Sequence, residues 1–252
     1  MFGKLFGKKN ETSPPLPKNN DRAQAAVKHA LEEKRKTDPL IGAKMCAKEI
    51  NSKLIDAMSK IDSKGVHIDT AIVAMASVGG FACQMAIREG IIKAGKASEQ
   101  QAFVTVQGKD GATYYVGPTL NAALLESKTS LYSYAGGGVE RAGGKKLPDI
   151  GEIAGYVAST IGSEKFGIPR YPEGHTAAEK PLTWVKTLWS LQLPNLQFYC
   201  ASPIEWPITY GIALQELIVM GKDALHPEIA IQMAMEAAIA MSKIDYRGIV
   251  GA

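Results

Sequence analysis

The chain has 252 residues, 46% apolar and 21% charged, a balance that excludes disordered and fibrous classes. A chain of this length buries roughly 70% of its unfolded surface, so it needs no disulfide or metal staple. Its net charge of +4 belongs to one end: residues 1–36 carry nine Lys/Arg against four Asp/Glu, the remainder 20 against 21. Nucleic-acid binding requires a basic stripe on the folded body, so no nucleic-acid partner is expected. Cys46, Cys83 and Cys200 are scattered and odd in number, which predicts buried thiols in a reducing compartment and a cytoplasmic location.

Residues 1–20 read as a disordered basic tail, with Pro14, Pro15 and Pro17 among polar neighbours. Phe2, Leu5 and Phe6 beside Lys4, Lys8 and Lys9 form too short an amphipath to bury much area. Weak membrane-surface contact is the alternative to a solvated start. Residues 21–252 read as a single helix-rich globular domain.

A helix is predicted from Asp21 to Lys36. Asp38 then reads as an N-cap and Pro39 as the first residue of a second helix reaching Lys60. Its apolar positions Ala43, Cys46, Ala47, Ile50, Leu54, Met58 and Ile61 fall on one face. Asp69 reads as the N-cap of a third helix, Thr70 to Lys93. The uncharged run Thr70–Ile87 is long enough to suggest a membrane span. Ser77, Gly79, Gly80 and Gln84 dilute it, and a central buried helix is expected instead. Ala76, Gly80 and Cys83 would be its close-packing strip.

Residues 102–107 and 112–116 predict a β-hairpin across Gly108–Gly111, with Asp110-Gly111 turn chemistry. A lone hairpin is marginal in water, so Leu131–Tyr134 and Gln197–Cys200 are candidate extra strands. Pro118 opens a helix over Leu120–Leu125. The stretch 135–146, AGGGVERAGGKK, fails the spacing of both phosphate-loop and dinucleotide fingerprints. It reads as a flexible connector, with a lid or ligand loop as the alternative. A helix from Asp149 to Ile161 would use Gly151, Gly155 and Ala158 as a packing edge.

The segment Phe166–Gly211 holds all three tryptophans and six of the thirteen prolines, which predicts a fixed, turning path and no long regular element. Only Leu182–Leu193 within it reads as helix. Two further helices follow, from Trp206 to Met220 and from Pro227 to Lys243. The expected fold is therefore α+β: seven or eight helices with a small antiparallel sheet.

No metal-ligand spacing and no nucleophile motif occurs, and no cofactor is expected. Cys200 has no basic residue next to it in sequence and reads as an inert thiol. What remains is a polar cluster on a proline-fixed loop: Arg170, Tyr171, Glu173 and His175. Arg170 is placed to clamp an anion, and His175 to exchange a proton near neutral pH. Trp184, five residues before Trp189 on the predicted helix, points to a different side, so that one indole faces the core and the other a groove. These five residues, Arg170, Tyr171, Glu173, His175 and Trp184, form the candidate ligand site. Two functions stand: a protein-interaction or small-ligand-binding module built on 166–211, with room for a homo-oligomer, or an enzyme of hydrolase type. The second would use His175 with Arg170 and a carboxylate from Glu173, Glu179 or Glu205.

Overall fold

The chain folds around one helix. In the computed structural model, which describes residues 18–61 and 65–250, the helix α3 (Ile68–Ile87) is buried along its length from Asp69 onward. It runs on through a π-turn to Ile92. It has the length and apolarity of a membrane span, and its apolar window is wholly covered by the protein itself. Of the tail expected over residues 1–20, residues 1–17 lie outside the described residues, and residues 18–20 are not tail but the start of the first helix.

Helix α1 (Lys18–Arg35) precedes α2 (Ile41–Ser59). Asp38 does not cap α2: its carboxylate accepts from the Leu40 amide at 3.3 Å and pairs with Lys44 at 2.8 Å. That local turn delays the helix by two residues. The buried stripe of α2 matches its spacing, with Ala43, Cys46, Ala47, Ile50, Leu54 and Met58 inside. After α3 come the short α4 (Glu99–Ala102), β1 (Val104–Gln107) and β2 (Thr113–Val116). The strands pair antiparallel from Val104↔Val116 to Gln107↔Thr113, the only sheet among the described residues. The hairpin gains support from its packing: the Tyr115 amide donates to Lys243 O at 3.0 Å.

Helices α5 (Pro118–Asn121), α6 (Leu131–Arg141), α7 (Ile150–Thr160), α8 (Pro181–Tyr199), α9 (Trp206–Gly221), α10 (Pro227–Met241) and α11 (Arg247–Val250) complete the chain. Helices α8, α9 and α10 pack on α3, while α2 and α6 pack on α9. The α3–α10 crossing is very close. A Cβ on Gly80 would lie 2.1 Å from Ala238 O, which accounts for glycine inside a long helix despite its cost of about 1 kcal/mol against alanine. The result is a helix-rich α+β fold with one two-stranded sheet, as expected.

Four local expectations are corrected. Leu131–Tyr134 is helical, started by Ser130, whose hydroxyl accepts from the Ser133 amide at 3.1 Å. The glycines of 135–141 lie within α6 and form a seam: a Cβ on Gly138 would sit 2.9 Å from Gln215 Cα. Only residues 142–149 are a connector, tied down where the Lys145 and Lys146 amides donate to Glu228 at 2.9 and 3.0 Å. Gln197–Cys200 is not a strand, because α8 continues through Pro194. Pro194 and Ser190, whose carbonyl the ring displaces, both lie on the exposed side, where water can take up that carbonyl. Segment 166–211 thus contains a 19-residue helix. Finally, the small-residue edge of α7 faces solvent. Gly155 has no neighbour where a Cβ would be, and the buried face is Ile153, Val157 and Thr160.

Candidate functional site

Between α7 and α8 the chain has no helix or strand from residue 161 to 180. Such a segment must satisfy its backbone groups through side chains or water. Two side-chain anchors and one turn within the loop do so here. The Arg170 amide donates to Glu236 at 3.2 Å, the His175 amide to Pro172 O at 3.1 Å, and the Ala178 amide to Thr70 Oγ1 at 3.1 Å. The loop is thereby fixed across α10 and the N-terminal turn of α3.

Both terminal nitrogens of Arg170 are engaged by protein carboxylates, while its Nε is buried without a hydrogen-bond partner among the described residues. Arg170 forms a bidentate pair with Glu152 at 2.5 and 2.9 Å and reaches buried Glu236 at 2.7 Å. Its guanidinium also stacks over the Tyr156 ring, 3.9 Å from the centroid. The Glu152 hydrogen bonds and the charge of Glu236 push the Arg170 pKa up, while Arg170 pulls the Glu152 carboxyl below its ordinary value. Arg170 therefore fastens the loop, and its anion-clamping capacity is spent on two protein carboxylates.

Tyr171 turns inward. Burial pushes its hydroxyl pKa up, and the charges of Glu236 and Asp69 push it further. That hydroxyl has no hydrogen-bond partner among the described residues. Glu173 is exposed at the loop tip. Trp184 is 0% exposed and has no surface to offer a ligand; it belongs to the core face of α8. Trp189 is buried as well, edge-on to Phe81 at 5.0 Å and to Trp206 at 5.8 Å. The expected division between a core tryptophan and a groove tryptophan survives only in that Trp189 and Trp206 border a second cavity of about 460 Å³. There Arg88 is held by Glu99 at 3.2 Å and packs on Tyr246 at 3.6 Å and Tyr115 at 4.2 Å.

His175 meets a carboxylate that sequence reasoning did not assign to it. Its Nδ1 lies 3.0 Å from Asp69 Oδ2, whereas Glu173, Glu179 and Glu205 are not its partners. Asp69 is not the cap of α3. His67 occupies that position, and Asp69 sits in the first turn with its side chain largely buried against the imidazole. An ionised carboxylate only accepts, so Nδ1 carries the proton and Nε2 is left as the basic nitrogen.

The next residue makes a second polar pair. Thr70 Oγ1 accepts from Ala178 and lies 3.2 Å from His67 Nδ1, so the hydroxyl hydrogen is available to that nitrogen. His67 and Thr70 line a cavity of about 380 Å³, closed by Thr176 and Ala178 of the loop and by Met58 and Ile61 at the end of α2. That volume suits a small organic ligand. One wall is polar and the other apolar.

Residues 136–146 do not face this cavity. Gly136, Gly137 and Leu147 border a separate one of about 690 Å³. Among the described residues no group of three or more His, Cys, Asp or Glu side chains could hold a metal ion. The chain matches no family model, no curated protein and no solved structure.

Proposed function

We propose that the protein binds a small molecule in the cavity at the N-terminal turn of α3, under the loop 175–178. The observation that supports this is the polar wall of His67 and Thr70, with the His175–Asp69 pair fastening the loop beside it. Asp69 and Thr70, adjacent on one helical turn, each engage a histidine, and the loop closes over them through the Ala178–Thr70 bond. A ligand with a polar end fits against His67 and Thr70, its apolar part against Met58 and Ile61. Of the two kinds of module expected from segment 166–211, a concave site of about 380 Å³ with one polar and one apolar side favours a small ligand over a protein surface.

The test is a thermal-shift screen of small carboxylates, phosphates, amides and alcohols, repeated on Thr70→Val and His67→Ala. Binding by the parent protein that both substitutions abolish supports the reading. Binding that neither affects, or no binding by any class, contradicts it.

One observation favours a second reading, acid–base chemistry at His175, which adjoins the lining residue Thr176 but is not itself part of the lining. A histidine whose Nδ1–H is held by a buried carboxylate has its Nε2 positioned as a general base. Hydrolysis of short-chain nitrophenyl esters that is lost in both His175→Gln and Asp69→Asn supports it. Activity that survives both substitutions removes it.

A further inference from the structure

Sequence adjacency makes Cys200 look inert, yet the fold surrounds it with partners. At the C-terminal end of α8 the backbone lies directly on α2. A Cβ on Gly42 would sit 2.2 Å from Tyr199 O, and the Arg35 guanidinium donates to that same carbonyl. Cys46 lies one turn beyond Gly42 on the same face of α2, the face that meets the C-terminal end of α8. Thr209 of α9 closes the third side, with Cys200 Sγ 3.3 Å from its Oγ1. Cys46 is fully buried, whereas Cys200 is partly exposed, and both are free thiols.

We propose that Cys200 and Cys46 form a peroxide-sensitive thiol pair, Cys200 reacting first and Cys46 resolving it to a disulfide that staples α2 to the end of α8.

The electrostatics agree with that division. The neighbouring Cys46 thiol lowers the Cys200 pKa, helped by Thr209 and Arg35 and opposed by burial and Glu205. The same contact, with burial and the nearby Glu49, raises Cys46, while Lys53 opposes. In the first step the Cys200 thiolate attacks the outer oxygen of hydrogen peroxide. The O–O bond breaks, sulfur is oxidised to sulfenic acid, and the departing hydroxide takes a proton to leave as water. In the second, Cys46 sulfur attacks Cys200 sulfur. The S–O bond breaks, and the hydroxyl leaves as water with the Cys46 proton. Two thiols and one peroxide give one disulfide and two waters.

Cys83 is the internal control. It is fully buried, burial holds its thiol well above the ordinary range, and no second cysteine faces it. The experiment treats the reduced full chain with equimolar hydrogen peroxide at neutral pH. It then alkylates under denaturing conditions and maps peptides by mass spectrometry without reduction. The expected result is a Cys46–Cys200 cross-linked peptide with Cys83 alkylated. Cys46→Ser should stop at a diketone-trappable sulfenic acid on Cys200, and Thr209→Val should slow Cys200 oxidation several-fold. Three alkylated cysteines, oxidation of Cys200 without cross-linking, or oxidation of Cys83 as fast as Cys200 would overturn the proposal. Peptide mapping of the parent protein decides between these outcomes even if the serine variant does not fold.

Discussion

His175 and Asp69 are 106 positions apart in sequence and 3.0 Å apart in the fold. The contact joins an irregular loop to the first turn of the central helix, and it selects one imidazole tautomer. The Thr70–His67 contact one residue later runs the other way, the hydroxyl offering its hydrogen to the imidazole Nδ1. Both pairs depend on the first turn of α3, where Asp69 and Thr70 are buried.

The tautomer is directly measurable. In the parent protein the imidazole nitrogen spectrum of His175 is expected to show Nδ1–H. Asp69→Ala removes the acceptor and should shift the ring toward the Nε2–H form that neutral imidazole favours in water. An unchanged tautomer would mean that Asp69 does not orient the ring.

Arg170 and Glu236 form the anchor on the other side of the loop. Removing one partner of a buried pair leaves an uncompensated charge, at about 3–5 kcal/mol for fully buried cases. Arg170 is 37% exposed, so solvent screening reduces this, and Arg170→Ala is expected to cost about 2 kcal/mol. Adding Glu236→Gln should restore part of that loss, a non-additivity that urea denaturation of the four cycle members would reveal. Simple additivity would show that the pair is not coupled.

Two helical glycines should respond oppositely to alanine. At Gly80 the new methyl collides with the Ala238 backbone, and neither helix can yield, so Gly80→Ala should cost about 3 kcal/mol or more. At Gly155 the space is open, and Gly155→Ala should stabilise by about 0.5–1 kcal/mol. Thermal melts of the two variants check both signs.

Lys243 is buried, and desolvation lowers its pKa from 10.5 to about 8. Its Nζ has Ser242 Oγ at 3.4 Å. Because the folded pKa lies below the unfolded one, the unfolded chain binds more protons between pH 8 and pH 10.5. Stability from this group therefore rises with pH across that window and is lowest below it. At 1.36 kcal/mol per unit the penalty is about 3 kcal/mol. Lys243→Met should be more stable than the parent below pH 8, and the difference should narrow by about that amount by pH 10.5. A pH-independent difference would show that the amine stays charged in the fold.

Features set by local period were legible in the sequence. The apolar stripe of α2, the hairpin with its Asp110-Gly111 turn, and the long buried α3 depend on spacing within a few residues. Features set by what a residue meets across space were not. Gly136–Gly138 is a plausible loop until Gln215 is seen packed against it, and Pro194 is a plausible break until its exposed position is known. The site divides in the same way. The loop 166–180 and His175 stood out by composition. Asp69 reads instead as a helix cap, and nothing in the sequence joins His67 and Thr70 to the loop, because only the fold brings residues 67–70 to 175–178. The charge of Arg170 is legible in the sequence, but its partners Glu152 and Glu236 lie on separate helices.

The claim that the α3 N-terminal cavity is a binding site is tested most directly by imidazole nitrogen–proton spectra of all four histidines during ligand titration. The ligand would be the strongest binder from the screen. The account predicts that His67 shifts on binding, His175 shifts with it, and His29 and His226 stay fixed. Binding that leaves His67 and His175 unmoved would contradict it.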